Sequence, residues 1–275
     1  MIFVGDGPIE PRAFWHYDRL YLSFNSGIKI NGSLFDTTFF WDYDEEQVVM
    51  PKIREGQPTL QTSHASVPRD KHWSPYTYKD QLYFIYSLDP LRILLCDRDS
   101  KCYFTRKEGG DNYEFHQVAD SLRGGTPTVH YKDEFYITIA HSTMFRKDDW
   151  KRVYTINLAV LKITNDNHRI VFLSSPILFN ETFMSSIPMV RHRYIRDDFV
   201  FPVSLLVEDA DNIIIGGHVN DHSSYLFRVT GIQSLMDDVM VGSKKLSDVG
   251  PQPGKLHNLT KEFSSQLFGY TFYTD

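Results

Sequence analysis

"LRGGTPTVHYKDEFYITIAHS" occupies positions 122–142, and its reading decides the fold. Arg123, two glycines, Thr126 and Pro127 lead into a run where apolar and polar residues alternate, and the run closes on His141 and Ser142. Alternation of period two is a strand signal, and the polar break at Asp133 makes the stretch a hairpin. A strand that only fills a core needs neither Arg-Gly-Gly-Thr-Pro before it nor His-Ser after it. These flanks are either turn chemistry or the rim of a site.

The hairpin recurs. Pro11 leads to Asp18, Leu20 and Tyr21. Pro75 leads to Asp80, Leu82 and Tyr83. Pro127 leads to Asp133, Phe135 and Tyr136, and Pro202 to Asp211, Ile213 and Ile214. The intervals suit propeller blades of roughly 40–60 residues with variable loops. An all-β, five-bladed β-propeller occupying residues 1–275 as one domain is therefore expected, with the fifth copy degraded or shared between the chain ends. An irregular β-sandwich is the alternative. Only "DNYEFHQVADSL" and "GIQSLMDDVM" read as short helices.

Composition agrees. Hydrophobic residues make up 41% and charged residues 23% of the 275, enough for a packed core. Aromatics reach 15%, with 20 Phe, 16 Tyr and 4 Trp, which favours strands and sugar-stacking surfaces. A formal charge of −6 argues against a nucleic-acid binder. No apolar run is long enough for a membrane span, and "MIFVGDGPIEPR" lacks the basic and apolar regions of a signal peptide. Cys96 and Cys102 are two where a stapled secreted domain would carry more, so free thiols and a cytoplasmic location are expected. No cofactor or metal is expected. The Asp97-Arg98-Asp99 and Asp209-Ala210-Asp211 triplets match a metal-holding pattern of nucleotide-sugar transferases, but they read as turn carboxylates.

In a propeller the inner strands line one channel, so equivalent ends of successive blades converge. Those ends are "IEPR" at Ile9–Arg12, "RDKHWSP" at Arg69–Pro75, "RGGTP" at Arg123–Pro127 and "RHRYIRDDFVFP" at Arg191–Pro202, with "IAHS" and "GGHVND" returning. Carboxylates, guanidinium groups, imidazoles and an indole in one structural position suit a polyhydroxylated substrate. Glu10, Asp70 and Asp221 are the candidate catalytic carboxylates, since glycosyl transfer needs a carboxyl group at the attacking or departing oxygen. Arg12, Trp73, Arg123, His141, Arg191, His192 and Arg193 are the candidate substrate-binding residues. Trp73 would stack on a sugar ring or sit in the core. Arg123 would clamp a phosphate or pair with a carboxylate. The basic run Arg191, His192, Arg193 and Arg196 would meet a diphosphate. His141 could instead be a core histidine satisfied by a backbone carbonyl.

The order E-P-R, D-K-x-W-x-P, R-G-G-T-P with A-H-S, and V-F-P with N-D resembles a family of five-bladed β-propeller glycosyltransferase-like proteins. These are distantly similar to the mannoside phosphorylases and to the mannosyltransferases that share their fold. The resemblance covers roughly residues 8 to 238 in short patches. It departs at Glu10, where the family has aspartate, and at Thr128, Ala140 and Val203. It implies a glycosyltransferase moving a sugar from an activated donor, such as a nucleotide sugar, to a glycan hydroxyl. A phosphorylase or hydrolase, and a non-catalytic sugar-binding propeller, are the alternatives.

Overall fold

The run Ile9–His16 (β2) shows how the residues choose their faces: Arg12, Phe14 and His16 are buried, while Pro11, Ala13 and Trp15 point to solvent. In the computed structural model the described residues are 2–3, 8–30, 33–54, 69–88, 91–105, 122–146, 152–165, 167–174, 176–177, 179, 182, 184, 199–243 and 270–271. They are nearly all β. The chain divides into two compact units, Met1–Leu88 with Arg92–Gln117, and Asp89–Leu91 with Val118–Asp275.

The first unit holds two sheets. In one, Ile2–Phe3 (β1) and β2 pair with Arg19–Ile30 (β3), followed by Ser33–Asp42 (β4) and Gln47–Val49 (β5). Lys52–Ile53 (β6) belongs to the second sheet, whereas Arg69–Asp70 (β7) lies parallel to β4 in the first. The second sheet is a meander of Ser74–Tyr78 (β8), Gln81–Leu88 (β9), Leu91–Cys96 (β10) and Lys101–Phe104 (β11), with β6 parallel to β11. Rings fill the space between the sheets. Phe40 stacks on Phe84 at 4.7 Å, and Phe14 meets Phe84 edge-on at 5.9 Å. Each such side chain, fully buried, contributes roughly 1.5–3 kcal/mol.

The second unit repeats the scheme. Leu122–Arg123 (β12) and Val129–Lys132 (β13) flank Phe135–Arg146 (β14), which continues to Arg152–Ile163 (β15) and His168–Leu173 (β16). Val200–Val207 (β17), Asn212–Val219 (β18) and Ser223–Thr230 (β19) form a three-stranded sheet. The helix Ile232–Ser243 follows and puts Ile232, Met236 and Val239 into the core with Ile137, Val160 and Ile213. Those helix positions fall on one face at 3.6 residues per turn. This is the helix expected at "GIQSLMDDVM"; the other expected helix, 111–122, lies outside the described residues apart from Leu122, which is in β12.

The recurring Asp is mostly a backbone matter. Tyr17-Asp18 and Lys79-Asp80 close β2–β3 and β8–β9 with φ of 50° and 56°, and 47° and 57°. Two positive φ angles define the hairpin turn whose twist matches its strands. Asp133 has φ 51°. In the fourth copy Asp209 does the work through its side chain, with Oδ1 accepting from the N–H groups of Asp211 and Asn212. Asp97 likewise accepts from the N–H groups of Asp99 and Lys101. Both Asp-x-Asp triplets are thus turn chemistry. The prolines sit in or just before the first strand of each meander, an edge where a missing N–H is tolerated.

Four blade-like sheets are present among the described residues, and a fifth is not among them. Both chain ends instead lengthen existing sheets: β1 joins β3, and Tyr270–Thr271 (β20) joins β14. No helix among the described residues is long and apolar enough to cross a membrane. The cysteine expectation is corrected. Cys96 and Cys102 lie directly opposite on β10 and β11 and form a disulfide, which removes the reducing-compartment argument behind a cytoplasmic location.

Candidate functional site

Glu10 sits where β2 departs from regular pairing. The register with β3 shifts between Ile9 and Arg12, and Glu10 itself has φ 55°, in the left-handed region that a glutamate avoids. The bulge lifts its carboxylate into a polar nest. Asn25 Nδ2 donates to Oε2 at 2.7 Å, His72 Nδ1 lies 3.0 Å from the same oxygen and Arg12 Nη2 lies 3.5 Å away. Arg12 Nη1 also donates to the Glu10 carbonyl at 2.8 Å. Asn25 is fixed in turn, because its Oδ1 accepts from Thr38 Oγ1 at 3.2 Å and from the His72 N–H at 3.3 Å. His72 has φ 70°. One asparagine thus braces two residues in strained conformations, the kind of strain that concentrates at functional sites.

The electrostatics follow. Burial by itself raises the Glu10 pKa, but the charge and hydrogen bond of His72, then Arg12 and Lys71, outweigh it and hold the carboxyl well below its ordinary value of 4.5. Burial lowers the Arg12 pKa, and Glu10 partly offsets this. Glu10 is therefore a carboxylate at neutral pH, able to accept a proton or hold a hydroxyl and not to donate.

Two candidate binding residues of this unit are buried. Arg12 is 1% exposed and turns its guanidinium toward Glu10, where it supports the carboxylate. Trp73, also 1% exposed, packs against Phe84 and Tyr86 in the core, with no ring face open for a sugar. Asp70 pairs through its backbone with Thr37, two residues before His72. Lys71 pairs with Asp36 at 3.3 Å.

In the second unit the flanks of the 122–142 hairpin meet. Arg123 lies opposite His141 across β12 and β14. His141 is buried and its Nδ1 donates to the Gly124 carbonyl at 2.9 Å, the backbone-satisfied arrangement. Thr126 ties the segment down, donating its N–H to Ile139 O and accepting the Ile139 N–H at Oγ1, each at 3.0 Å. Gly125 is needed for close approach: a Cβ there would collide with the Ile139 carbonyl and with Pro202 Cγ. The His141 ring packs on Phe201 at 4.5 Å, and Phe201 stacks on His218 at 5.3 Å. His218 Nδ1 lies 3.4 Å from Asp221 Oδ1. Asn220 and Asp221 occupy a turn with φ 55° and 56°, where Asn220 Oδ1 accepts the Phe199 N–H at 2.9 Å. His141 and Asp221 are thereby linked through the Phe201 and His218 rings, with Arg123 opposite His141 on the neighbouring strand, while Glu10 and Arg12 pair by charge in the other unit. Arg191, His192, Arg193 and Arg196 lie outside the described residues. Among the described residues no group of His, Cys, Asp and Glu is placed to hold a metal ion.

Three partners were not anticipated from the sequence: Asn25, Thr38 and His72. The usable signal was "FNS" inside an otherwise apolar strand, and a histidine wedged between Lys71 and Trp73.

No family model matches the chain. It is 26% identical over 197 residues to beta-mannosyltransferase 6 of Candida albicans, a match covering 64% of this chain and 29% of that protein. The chain therefore spans less than a third of that relative's length. A glycosyl hydrolase from Bacteroides ovatus shares the fold, with 10% identity and a TM-score of 0.50 over 79% of this chain and 63% of that one. A mannose phosphorylase from Leishmania mexicana aligns at 11% identity and a TM-score of 0.48, over 83% of this chain and 69% of that one. The chain is thus distantly related to a mannosyltransferase.

Proposed function

We propose that this chain is a carbohydrate-active enzyme of the transferase kind, moving a sugar from a nucleotide diphosphate donor to a glycan hydroxyl. The observation that carries the reading is the ionised Glu10 carboxylate in its nest of Asn25, His72 and Arg12. An inverting transfer needs a base at the acceptor hydroxyl. Phosphorolysis or hydrolysis needs a carboxylic acid that protonates the departing oxygen, which calls for a raised pKa. An ionised Glu10 has no proton to donate to a departing oxygen, which favours transfer over the other two reactions. The relative's name narrows the proposed sugar to mannose.

Asp70, Asp221 and Arg123 are proposed to hold sugar hydroxyls. Arg191, His192 and Arg193 are proposed to neutralise the leaving diphosphate, the largest charge to develop in such a reaction. The five-bladed arrangement belongs to the same proposal.

The test is a thermal-shift titration with nucleotide diphosphates, a nucleotide diphosphate mannose, free mannose and phosphate. A ligand that binds only the folded chain raises its melting temperature. The nucleotide diphosphate sugar should give the largest shift. Arg193→Ala should remove the response to the diphosphate and spare that to free mannose. A response to mannose alone, unchanged by Arg193→Ala, would leave a sugar-binding module.

A further inference from the structure

We infer that the first sheet carries a second glycan-binding surface, on the face turned away from the Glu10 nest, where Trp15 and Tyr43 take sugar rings of the acceptor chain. The acceptor class rests on the transferase reading; the surface itself does not. Successive residues of a strand point to opposite sides. Arg12, Phe14 and His16 of β2 turn inward, whereas Ala13 and Trp15 turn the other way. On β3 the same alternation separates Asn25 from Leu20 and Leu22. The register then fixes which side chains join Trp15. It lies opposite Leu20, and the Tyr43 N–H donates to the Leu20 carbonyl at 3.1 Å, so one row crosses three strands. The row beside it pairs Leu22 with Trp41, and Trp41 with Val48. The Tyr43 ring leans on the Trp41 ring at 5.6 Å, which puts both on this face.

Three observations make this a sugar surface. First, the rings are open. Trp15 is 66% and Tyr43 54% exposed, and Ala13, the neighbour of Trp15 on this face, is too small to cover the indole. An open ring face is electron-rich and meets the C–H groups of a hexose, while the indole N–H and the phenol O–H reach its hydroxyls. Second, β3 separates the two rings, so they stand two strand spacings apart, roughly 10 Å. That span suits linked sugars, not a single one. Third, the rim is acidic. The turn after Trp41 and Asp42 carries the exposed carboxylates of Asp44, Glu45 and Glu46, and Asp42 Oδ1 fixes it by accepting the N–H groups of Asp44 and Glu45, each at 3.1 Å. Carboxylates accept hydrogen bonds from sugar hydroxyls. They repel an anionic lipid surface, which draws basic segments. A protein partner is disfavoured by size. In these rows Trp15, Tyr43 and Val48 are the large apolar side chains at least half exposed, against roughly 20–30 residues a side in a stable interface.

The experiment is calorimetric titration of the full chain with a mannose hexasaccharide. The wild-type chain should bind it. Trp15→Ala and Tyr43→Ala should each weaken binding by roughly 2–10-fold, the worth of one ring contact, and the double variant by about the product of the two. Trp15→Phe keeps a ring face and should lose less than Trp15→Ala. Leu226→Ala removes an exposed apolar side chain of the other unit and should bind as the wild type does. Melting temperature reports whether each variant is folded. Three results would overturn the inference: no binding by the wild-type chain; binding that Glu10→Gln abolishes and the Trp15→Ala, Tyr43→Ala double variant retains, which gives the glycan to the nest; or a wild-type dimer in sedimentation that the double variant dissociates, with no hexasaccharide bound, which gives the face to a second copy. None of these readouts needs a donor. Absence of transfer with every donor therefore defeats the transferase reading and leaves the result for this surface standing.

Discussion

Glu10 shows how one residue carries both fold and chemistry. Its carboxyl is depressed by His72 and Arg12 against the opposing effect of burial. A lowered folded-state pKa gives stability that is fully present above the unfolded value, near 4.5, and lost as pH falls through the lower folded one. Melting temperatures of wild type and Glu10→Gln should therefore differ most above about pH 5 and converge in acid; parallel curves would mean the charge contributes nothing. Gly125 is the second test at this scale. Gly125→Ala drives a methyl into the Ile139 carbonyl and the Pro202 ring, so it should cost about 1–3 kcal/mol in a denaturation experiment. A neutral result would show that the strap relaxes freely. The sequence marked Glu10 as a candidate by its position in the Ile-Glu-Pro-Arg flank of the first hairpin. It could not show the ionisation state, where burial is outweighed chiefly by His72, far along the chain. It left Trp73 open between a sugar face and the core, because a strand period tells which residues share a face, not which face is the core.

At the scale of elements, the repeat of proline and aspartate was legible because it is local. A strand that ends, turns within two residues and returns needs left-handed positions, and Asp18 and Asp80 supply them at φ 56° and 57°. Asp80→Gly should be neutral or stabilising, since glycine takes that conformation freely. Asp80→Val should cost about 1–2 kcal/mol by the penalty on a left-handed L-residue; equal stability of the two variants would contradict the turn assignment. Pairing across strands is where local reading fails. Cys96 and Cys102 were judged by number and compartment, but the register of β10 and β11 sets them face to face. The Asp-x-Asp triplets could mean turn or metal from their letters alone. The N–H groups that Asp97 and Asp209 accept from settle it as turn.

At the scale of the molecule, nearly all-β architecture and blade-like meanders follow from alternation, aromatic richness and turn spacing. The number of sheets does not, because the fifth had no hairpin of its own in the repeat and rested on chain length and the family resemblance. Each unit gathers its own polar centre from segments distant in sequence: Glu10 with Asn25 and His72 in one, Arg123 with His141 and the His218–Asp221 pair in the other. The central claim is that the first of these performs glycosyl transfer as a base, not as an acid. Its most direct test is a turnover assay with a nucleotide diphosphate mannose and a mannose-bearing acceptor, following nucleotide diphosphate release and acceptor mass together. The wild-type chain should lengthen the acceptor, and Glu10→Gln should do so roughly 10²–10⁴-fold more slowly, both assayed at a temperature where each protein is folded. Equal rates in the two proteins, or product formed from the mannoside only when inorganic phosphate is added, would contradict it.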